Sequence, residues 1–405
     1  MLKIKKSHLS SDYIWFYTIS ILLCLKLAFS YLIVEHSYWI RHLPNNFEHY
    51  NIFGAPKNLT KNVEYLIIPL IFGYIVANFK YLGRLKTTFL LSLSLFMVNL
   101  FTFVLTPSTF LESLELSLKL LSPLYLFLAL IIFRTKRHVD LRKLVVKVLV
   151  FCIILIIIGL LFLEISVNRK IEQWPIFFGN IHTHSYIVAT IFIAFGYNLM
   201  QKKEPILLII YFIVSFFILF VGYAVRTPLL LYLVFIIIAL YTKSNFFKLL
   251  WVKLLVFLPL LILAFFLLLD IDIDNISSGR ITMYGDKFEM LSGYSVIEFL
   301  FGRGYGSDLI VTEKWWYDEK GSHSDYITYV IENGILYFML FLLLIVSIIP
   351  NFRRLNLIFF SLIVGYLITS LISNGIAVRP LAGYVFFTVL AYVYSNKYLQ
   401  PKEAE

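Results

Sequence analysis

Four basic side chains beside apolar stretches of this chain are of the types that bind an anion and move a proton. Arg226, Arg280 and Arg379 lie in or next to polar loops, and His323 comes just before an apolar stretch. A guanidinium group is always charged and binds phosphate oxygens through two parallel hydrogen bonds. A neutral imidazole can accept a proton, as a general base must. Guanidinium groups and an imidazole on one face would therefore suit an anionic, phosphate-bearing ligand.

Each of these residues also has a plainer interpretation. A single Arg at a helix end usually extends its guanidinium group to lipid headgroups. A single His at the start of a helix is more often a neighbour of the helix cap than a catalyst. The dipole of a helix beginning near Asp325 would, however, disfavour the charged form of His323. The combination of residues, rather than any one of them, favours the phosphate-binding hypothesis.

The elements that must position these residues are membrane-spanning helices. Of the 405 residues, 60% are hydrophobic and only 15% are charged, whereas about a quarter of a soluble domain is charged. Apolar runs such as Ile154–Leu163 do not alternate with polar residues, which favours helices over the strands of a membrane barrel. We predict an all-α polytopic membrane protein, with one domain over residues 1–405 and about twelve spans. The predicted spans are 13–34, 63–79, 88–106, 117–133, 144–164, 184–200, 206–224, 229–241, 249–269, 325–349, 356–373 and 382–396.

Charge predicts the orientation of the spans. Most of the 35 Lys and Arg residues fall in loops on the side of the N-terminus, for example in residues 134–137. Loops rich in these residues stay in the cytoplasm, so we expect both termini to be cytoplasmic. The longer loops, above all residues 270–324, then lie outside together with the four basic residues. Because the basic residues are scattered over short loops, we expect no nucleic-acid partner.

Several motifs follow one another within residues 175–350. Arg280 opens an amphipathic segment, and the turn Gly302–Gly306 has a glycine at every second position. His323-Ser324 is separated from Gly334 by residues 325–333, and Val225-Arg226-Thr227 lies upstream. In this order the motifs resemble those of the O-antigen polymerase (Wzy) and O-antigen ligase superfamily, which carries a large periplasmic loop. Val225 stands where the family often has Ser.

The resemblance implies a fold of the GT-C kind and a glycosyltransferase of the bacterial inner membrane that works on its periplasmic face. The reaction would be an inverting transfer that needs no metal or other cofactor, and the donor would be an oligosaccharide linked to undecaprenyl pyrophosphate. Arg226 and Arg280 would bind the pyrophosphate and stabilise its charge as it leaves. His323 would deprotonate the attacking sugar hydroxyl. Gly302–Gly306 would let two backbone segments approach closely.

We also predict a wider substrate-binding set. We expect His182 and His184, which stand where the family usually has Asn, to line the substrate site. Arg303, Tyr326 and Arg379 complete the set. The segment 281–300 could lie as an amphipathic helix at the membrane surface, in contact with membrane lipid. A polymerase would also imply a chain-length regulator as a partner.

Two alternative functions remain open at the level of the sequence. The same chemistry would serve a ligase that transfers the finished glycan to the lipid A core. A polysaccharide flippase belongs to another class, although transporters tend to hold polar sites at mid-membrane.

The acidic run 270–275 fails the spacing of a calcium loop, and His182 with His184 lacks further zinc ligands. Glu332, predicted inside a span, could pair with Lys26 or stay protonated.

Overall fold

A computed structural model describes most of the chain, and its helices follow the predicted apolar segments. The described residues are 11–30, 36–39, 47–50, 59–106, 110–162, 166–168, 171–202, 204–243, 280–311, 319–350 and 355–399. They form thirteen α-helices. In chain order these are α1 (Ser11–Phe29), α2 (Leu59–Ala77), α3 (Lys86–Leu105), α4 (Phe110–Arg137), α5 (Leu141–Phe162), α6 (Ile181–Gln201), α7 (Pro205–Phe217), α8 (Arg226–Lys243), α9 (Arg280–Ser292), α10 (Val296–Phe301), α11 (Asp325–Ser347), α12 (Leu357–Ile372) and α13 (Pro380–Tyr398).

Among these residues, seven helical segments are long and apolar enough to cross a membrane. They are Ser11–Phe29, Phe79–Thr102, Ser117–Arg137, Leu141–Phe162, Ile206–Tyr223, Arg226–Lys243 and Asp325–Ser347. The segments Asn62–Ala77 and Leu357–Ile372 are apolar but shorter. The predicted span 249–269 and the acidic run 270–275 lie outside the described residues. Every other predicted span coincides with a helix over the residues that are described. The all-α prediction is thus confirmed in its coarse form, as a bundle of apolar helices compatible with a multi-pass membrane protein.

Three short antiparallel ribbons interrupt the helical pattern, which the sequence did not predict. β1 (His36–Trp39) pairs with β2 (Phe47–Tyr50), so that His36 lies opposite Tyr50. β3 (Ser166–Asn168) pairs with β4 (Ile171–Gln173), and β5 (Ile310–Val311) pairs with β6 (Glu319–Lys320). All three lie in the long loops that were predicted to share one side of the membrane.

The centre of the bundle is α13, which packs against α4, α5 and α6. Every residue from Ala382 to Ser395 in it is buried. α6 is similarly enclosed over most of its length. Neither helix is among the seven segments that are long and apolar enough to cross a membrane. Since neighbouring helices surround them, they can carry polar residues that a helix facing lipid could not.

A buried ion pair shows which carboxylate Lys26 contacts. The Nζ of Lys26 lies 2.9 Å from Oε2 of Glu64, and both side chains are almost fully buried. The other oxygen of Glu64 accepts hydrogen bonds from Ser122 at 2.9 Å and Tyr384 at 3.2 Å. The carboxylate nearest Lys26 is therefore Glu64 on the adjacent helix α2. Of the two possibilities left open for Glu332, pairing with Lys26 is therefore not the one observed. The sequence could not decide between them, because it does not show which helices are neighbours.

Candidate functional site

Helix ends converge on one end of the bundle, which we call the site face. It is formed by the first residues of α6, α8, α11 and α13 and by the last residues of α12. Nη1 of Arg379 lies 3.2 Å from Oδ1 of Asn180, which caps α6. The backbone amide of Gly375, after α12, donates to Asp325 at 2.9 Å. These contacts bring segments that are far apart in sequence to a common surface.

The glycine turn is seated in a break of α11. Gly334 has φ 82° and ψ 170°, which interrupts the helix. The amide of Arg303 donates to the carbonyl of Ile331 at 3.0 Å, and that of Gly304 to the carbonyl of Glu332 at 2.9 Å. A Cβ on Gly302 would collide with the Glu332 backbone, and one on Gly334 with the Leu300 backbone. The predicted close approach of two backbone segments is confirmed. Gly302 lies on one of these segments and Gly334 on the other.

Side chains from α3 and α11 complete this contact. The carboxylate of Glu332 accepts a hydrogen bond from the amide of Gly306 at 2.8 Å. Asn99 donates to Asn333 at 2.7 Å, and Thr102 donates to the carbonyl of Phe301 at 2.7 Å. Glu332 therefore holds the glycine turn against the break in α11.

A second buried cluster joins the loop helix α9 to the start of α11. Nζ of Lys287 lies 3.0 Å from Oδ1 of Asp308, and neither side chain is exposed. Oδ2 of Asp308 accepts from the amide of Ser322 at 2.8 Å and from the hydroxyl of Thr328 at 2.7 Å. The loop before His323 is thus fixed relative to α9, which begins at Arg280. We call Lys287, Asp308, Ser322 and Thr328 the Asp308 clamp.

Arg280 connects the loop helix to the bundle. It is the first residue of α9 and is half-buried. Its Nη1 donates to the carbonyl of Ile372, the last residue of α12, at 2.8 Å. This bond uses one of the five N–H groups of the guanidinium. Its other N–H groups are further potential donors.

Arg226 follows an irregular piece of backbone. The π-helical segment Ile218–Tyr223 ends at Ala224, a non-glycine residue with φ 53°. The amide of Trp174 donates to the carbonyl of Gly222 at 2.8 Å, and its ring occupies the space of a missing Cβ there. Arg226 itself is exposed at the start of α8. Such π-helical segments are frequent at functional sites.

His323 also stands on unusual backbone. It is exposed and has φ 51°, between the buried residues Ser322 and Ser324. Asp325 begins α11 two residues later. The Asp308 clamp holds Ser322, so the imidazole is carried on a fixed support at the site face. Arg226, Arg280, His323 and Arg379 therefore share one end of the bundle, as predicted from their loops.

Arg303 and Tyr326, and also Arg379, are engaged in contacts within the protein. Arg303 lies 2.9 Å from Glu298 and stacks 3.9 Å over the ring of Tyr294. The hydrogen bond from Arg303 holds the pKa of Glu298 down at about 2. The hydroxyl of Tyr326 donates to the carbonyl of Leu367 at 2.7 Å. Arg379 donates to the Asn374 carbonyl at 3.3 Å as well as to Asn180. Arg303 and Tyr326 thus contribute to the framework of the site.

The two histidines of α6 lie in different surroundings. His182 is half-buried in the first turn, two residues after Asn180. His184 is fully buried, and its Nδ1 accepts hydrogen bonds from the amides of Phe177 and Phe178 at 3.1 and 3.3 Å. That nitrogen fixes the loop before α6. Within the described residues, no group of three or more His, Cys, Asp or Glu side chains could hold a metal ion.

A polar cluster that was not predicted from the sequence lies beneath the site face. Asp325, Tyr186, Thr227 and Ser370 are all buried. Tyr186 lies beside Thr227, and Asp325 lies beside Ser370. Asp325 and Thr227 adjoin the His323 and Arg226 motifs, which is the signal that could have identified them. Tyr186 and Ser370 carry no motif and could not have been found. Buried polar groups of this kind can receive hydrogen bonds from a bound ligand.

The arrangement has the parts needed to hold an anion and to remove a proton from a neighbouring hydroxyl. Guanidinium groups from α8, α9 and the loop before α13 supply charge, and an imidazole precedes α11. Comparison with known proteins adds nothing to this, since no protein-family model matches the chain and no curated protein matches it significantly in sequence.

Proposed function

We propose that the chain is a polysaccharide polymerase of the bacterial inner membrane, a glycosyltransferase acting on lipid-linked repeat units. The donor is an oligosaccharide on undecaprenyl pyrophosphate, and the site face is the periplasmic one. The bundle crosses the membrane about twelve times with both termini in the cytoplasm, in a GT-C-like arrangement. This assignment agrees with the apolar helices and with the motifs that resemble the polymerase and ligase superfamily.

One observation carries the proposal. The turn Gly302–Gly306 docks by backbone contact on the break at Gly334, and the Asp308 clamp fixes the loop before His323. The motif residues are therefore parts of one structure rather than independent sequence matches. The Arg280 contact with Ile372 brings the loop helix over the same surface.

The chemistry follows from the types of these residues. A hydroxyl oxygen of the acceptor sugar attacks the anomeric carbon of the donor, forming a glycosidic bond while the bond to the pyrophosphate oxygen breaks. His323 accepts the proton of the hydroxyl. Arg226 and Arg280 stabilise the negative charge that develops on the departing pyrophosphate. Attack from the side opposite the leaving group inverts the anomeric carbon.

Deleting the gene in its natural host separates polymerase from ligase. Loss of a polymerase leaves lipid A core capped by a single repeat unit, and a plasmid carrying the wild-type gene restores long chains. Loss of a ligase leaves bare core, with polymer retained on its carrier lipid. The proposal requires the first pattern on an electrophoresis gel of extracted lipopolysaccharide. The second pattern would identify the protein as a ligase that uses the same glycosyl-transfer chemistry.

A further inference from the structure

A polar cavity lies at the end of the bundle opposite the site face. α6 begins at the site face and is 21 residues long, so its last turn lies about 30 Å from its first. The cavity is bounded by that last turn, by the end of α13 and by the loop between α4 and α5. Its volume is about 710 Å³, which lies within the range of small-molecule sites.

The lining of this cavity is strongly basic. Arg134, Arg142, Lys202 and Lys397 supply four positive charges, and Asp140 supplies one negative charge, which leaves a net charge of +3. The carboxylate of Asp140 accepts a hydrogen bond from the backbone amide of Arg142 at 2.9 Å and so caps α5. Over the described ranges, no ion pair or hydrogen bond engages the four cationic side chains.

Two buried aromatic residues form the floor of the cavity. Tyr197 and Tyr392 are 1% and 2% exposed and meet edge to face, with ring centroids 5.6 Å apart. The hydroxyl of Tyr392 donates to Oδ1 of Asn198 at 2.7 Å. This bond orients the amide of Asn198, whose nitrogen is left as a donor beside the cations. A phosphate ester with hydroxyl groups would find both charge and hydrogen-bond partners here.

We propose that this cavity binds the phosphate of a hydroxyl-bearing phosphate ester, the chemistry of an anionic phospholipid headgroup. Guanidinium and ammonium groups bind phosphate oxygens through charge-assisted hydrogen bonds. Basic cavities between membrane helices receive anionic headgroups in this way. A ligand here would join α4, α5, α6 and α13, including the central helix that starts beside Arg379. The proposal does not depend on the catalytic activity.

Calorimetric titration of the purified full-length protein in a neutral maltoside detergent tests this site. Dioctanoyl phosphatidylglycerol and glycerol 3-phosphate serve as probes, and the probe that binds more tightly identifies a lipid or a free ester as the source. Arg142→Ala with Lys202→Ala should weaken binding by about tenfold or more, since two charged contacts are lost. The control, Lys143→Ala with Lys147→Ala, removes the same charge from exposed positions that do not line the cavity.

The control should bind like the wild type. Lys397→Ala alone should weaken binding in the same direction, and circular dichroism should show that all variants are folded. The proposal is overturned if the wild type binds neither probe. It is equally overturned if the cavity variants and the control weaken binding to the same extent, because surface charge alone would then account for it.

Discussion

Two non-glycine residues at the site face adopt the left-handed backbone conformation. Ala224 precedes Arg226 by two residues with φ 53°, and His323 has φ 51°. A side chain in this conformation costs about 1–2 kcal/mol, because Cβ approaches the following carbonyl oxygen. Strain of this kind persists where the surrounding structure fixes it, and it is common at functional sites. The backbone at Ala224 sets the direction of the helix that begins with Arg226, and the backbone at His323 sets the direction of its own imidazole.

Replacing Ala224 with Gly should raise the stability of the protein. Relief of the left-handed strain is offset in part by the larger entropy of the unfolded chain, which leaves a gain of about 0.5–1 kcal/mol. Thermal unfolding in detergent measures the effect. The matched control, Ala239→Gly, changes a buried position inside α8 and should lower stability by about 1 kcal/mol. A loss of stability in both variants would contradict the assignment of strain to Ala224.

Lys287→Met should be strongly destabilising. It leaves the carboxylate of Asp308 buried without its cation, at a cost of about 3–5 kcal/mol. Lys119→Met is the control, since Lys119 pairs with Glu115 at a half-exposed position on α4 and such pairs contribute well under about 1 kcal/mol. Urea unfolding followed by tryptophan fluorescence compares the two. Equal and small losses would show that the Asp308 clamp does not hold the loop.

Among the elements, the glycine turn was predictable and its partner was only partly so. Glycine at every second position indicates close backbone approach, and the structure confirms it at Gly302. The sequence also contained Gly334, but it did not show that the two glycines face each other, because that depends on how α10 packs against α11. For the same reason, the pairings of Lys287 with Asp308 and of Lys26 with Glu64 could not be predicted.

Gly302→Ala should disrupt the loop far more than Gly306→Ala. Both glycines have positive φ, so both substitutions strain the backbone. At Gly302, φ 79° and ψ 178° define a conformation that essentially only glycine adopts. Only at Gly302 does the new Cβ also collide with the Glu332 backbone; at Gly306 the space is open. Limited proteolysis of the loop in purified protein should show rapid cleavage in Gly302→Ala alone. Equal cleavage rates in the two variants would contradict the backbone contact.

At the scale of the whole molecule, composition predicted the class of protein and the positions of the helices. It could not show that α6 and α13 lie inside the bundle, because moderate hydropathy does not reveal which helices are shielded from lipid by their neighbours. The ribbons in the loops were also missed, since β1 to β6 are each only two to four residues long. Residues 244–279, which include one predicted span, lie outside the described part.

Single-cysteine labelling tests the proposed orientation. With Cys24 and Cys152 replaced by Ser, Glu289→Cys on α9 should react with a membrane-impermeant maleimide in intact spheroplasts. Lys202→Cys, at the opposite end of the bundle, should react only after the membrane is permeabilised. Both parent residues are exposed, so accessibility within the protein does not decide the result. The reverse pattern would invert the orientation and remove the site face from the periplasm.

The most direct test is glycosyl transfer by the purified protein with a synthetic repeat unit on undecaprenyl pyrophosphate. We predict a ladder of products without added metal. Arg226→Ala, Arg280→Ala and His323→Ala should each reduce the rate by about 100-fold or more, while Lys147→Ala, on α5 far from the site face, should match the wild type. If no ladder forms, or if the three site variants transfer as fast as Lys147→Ala, the account of the site face as a glycosyltransferase centre is contradicted.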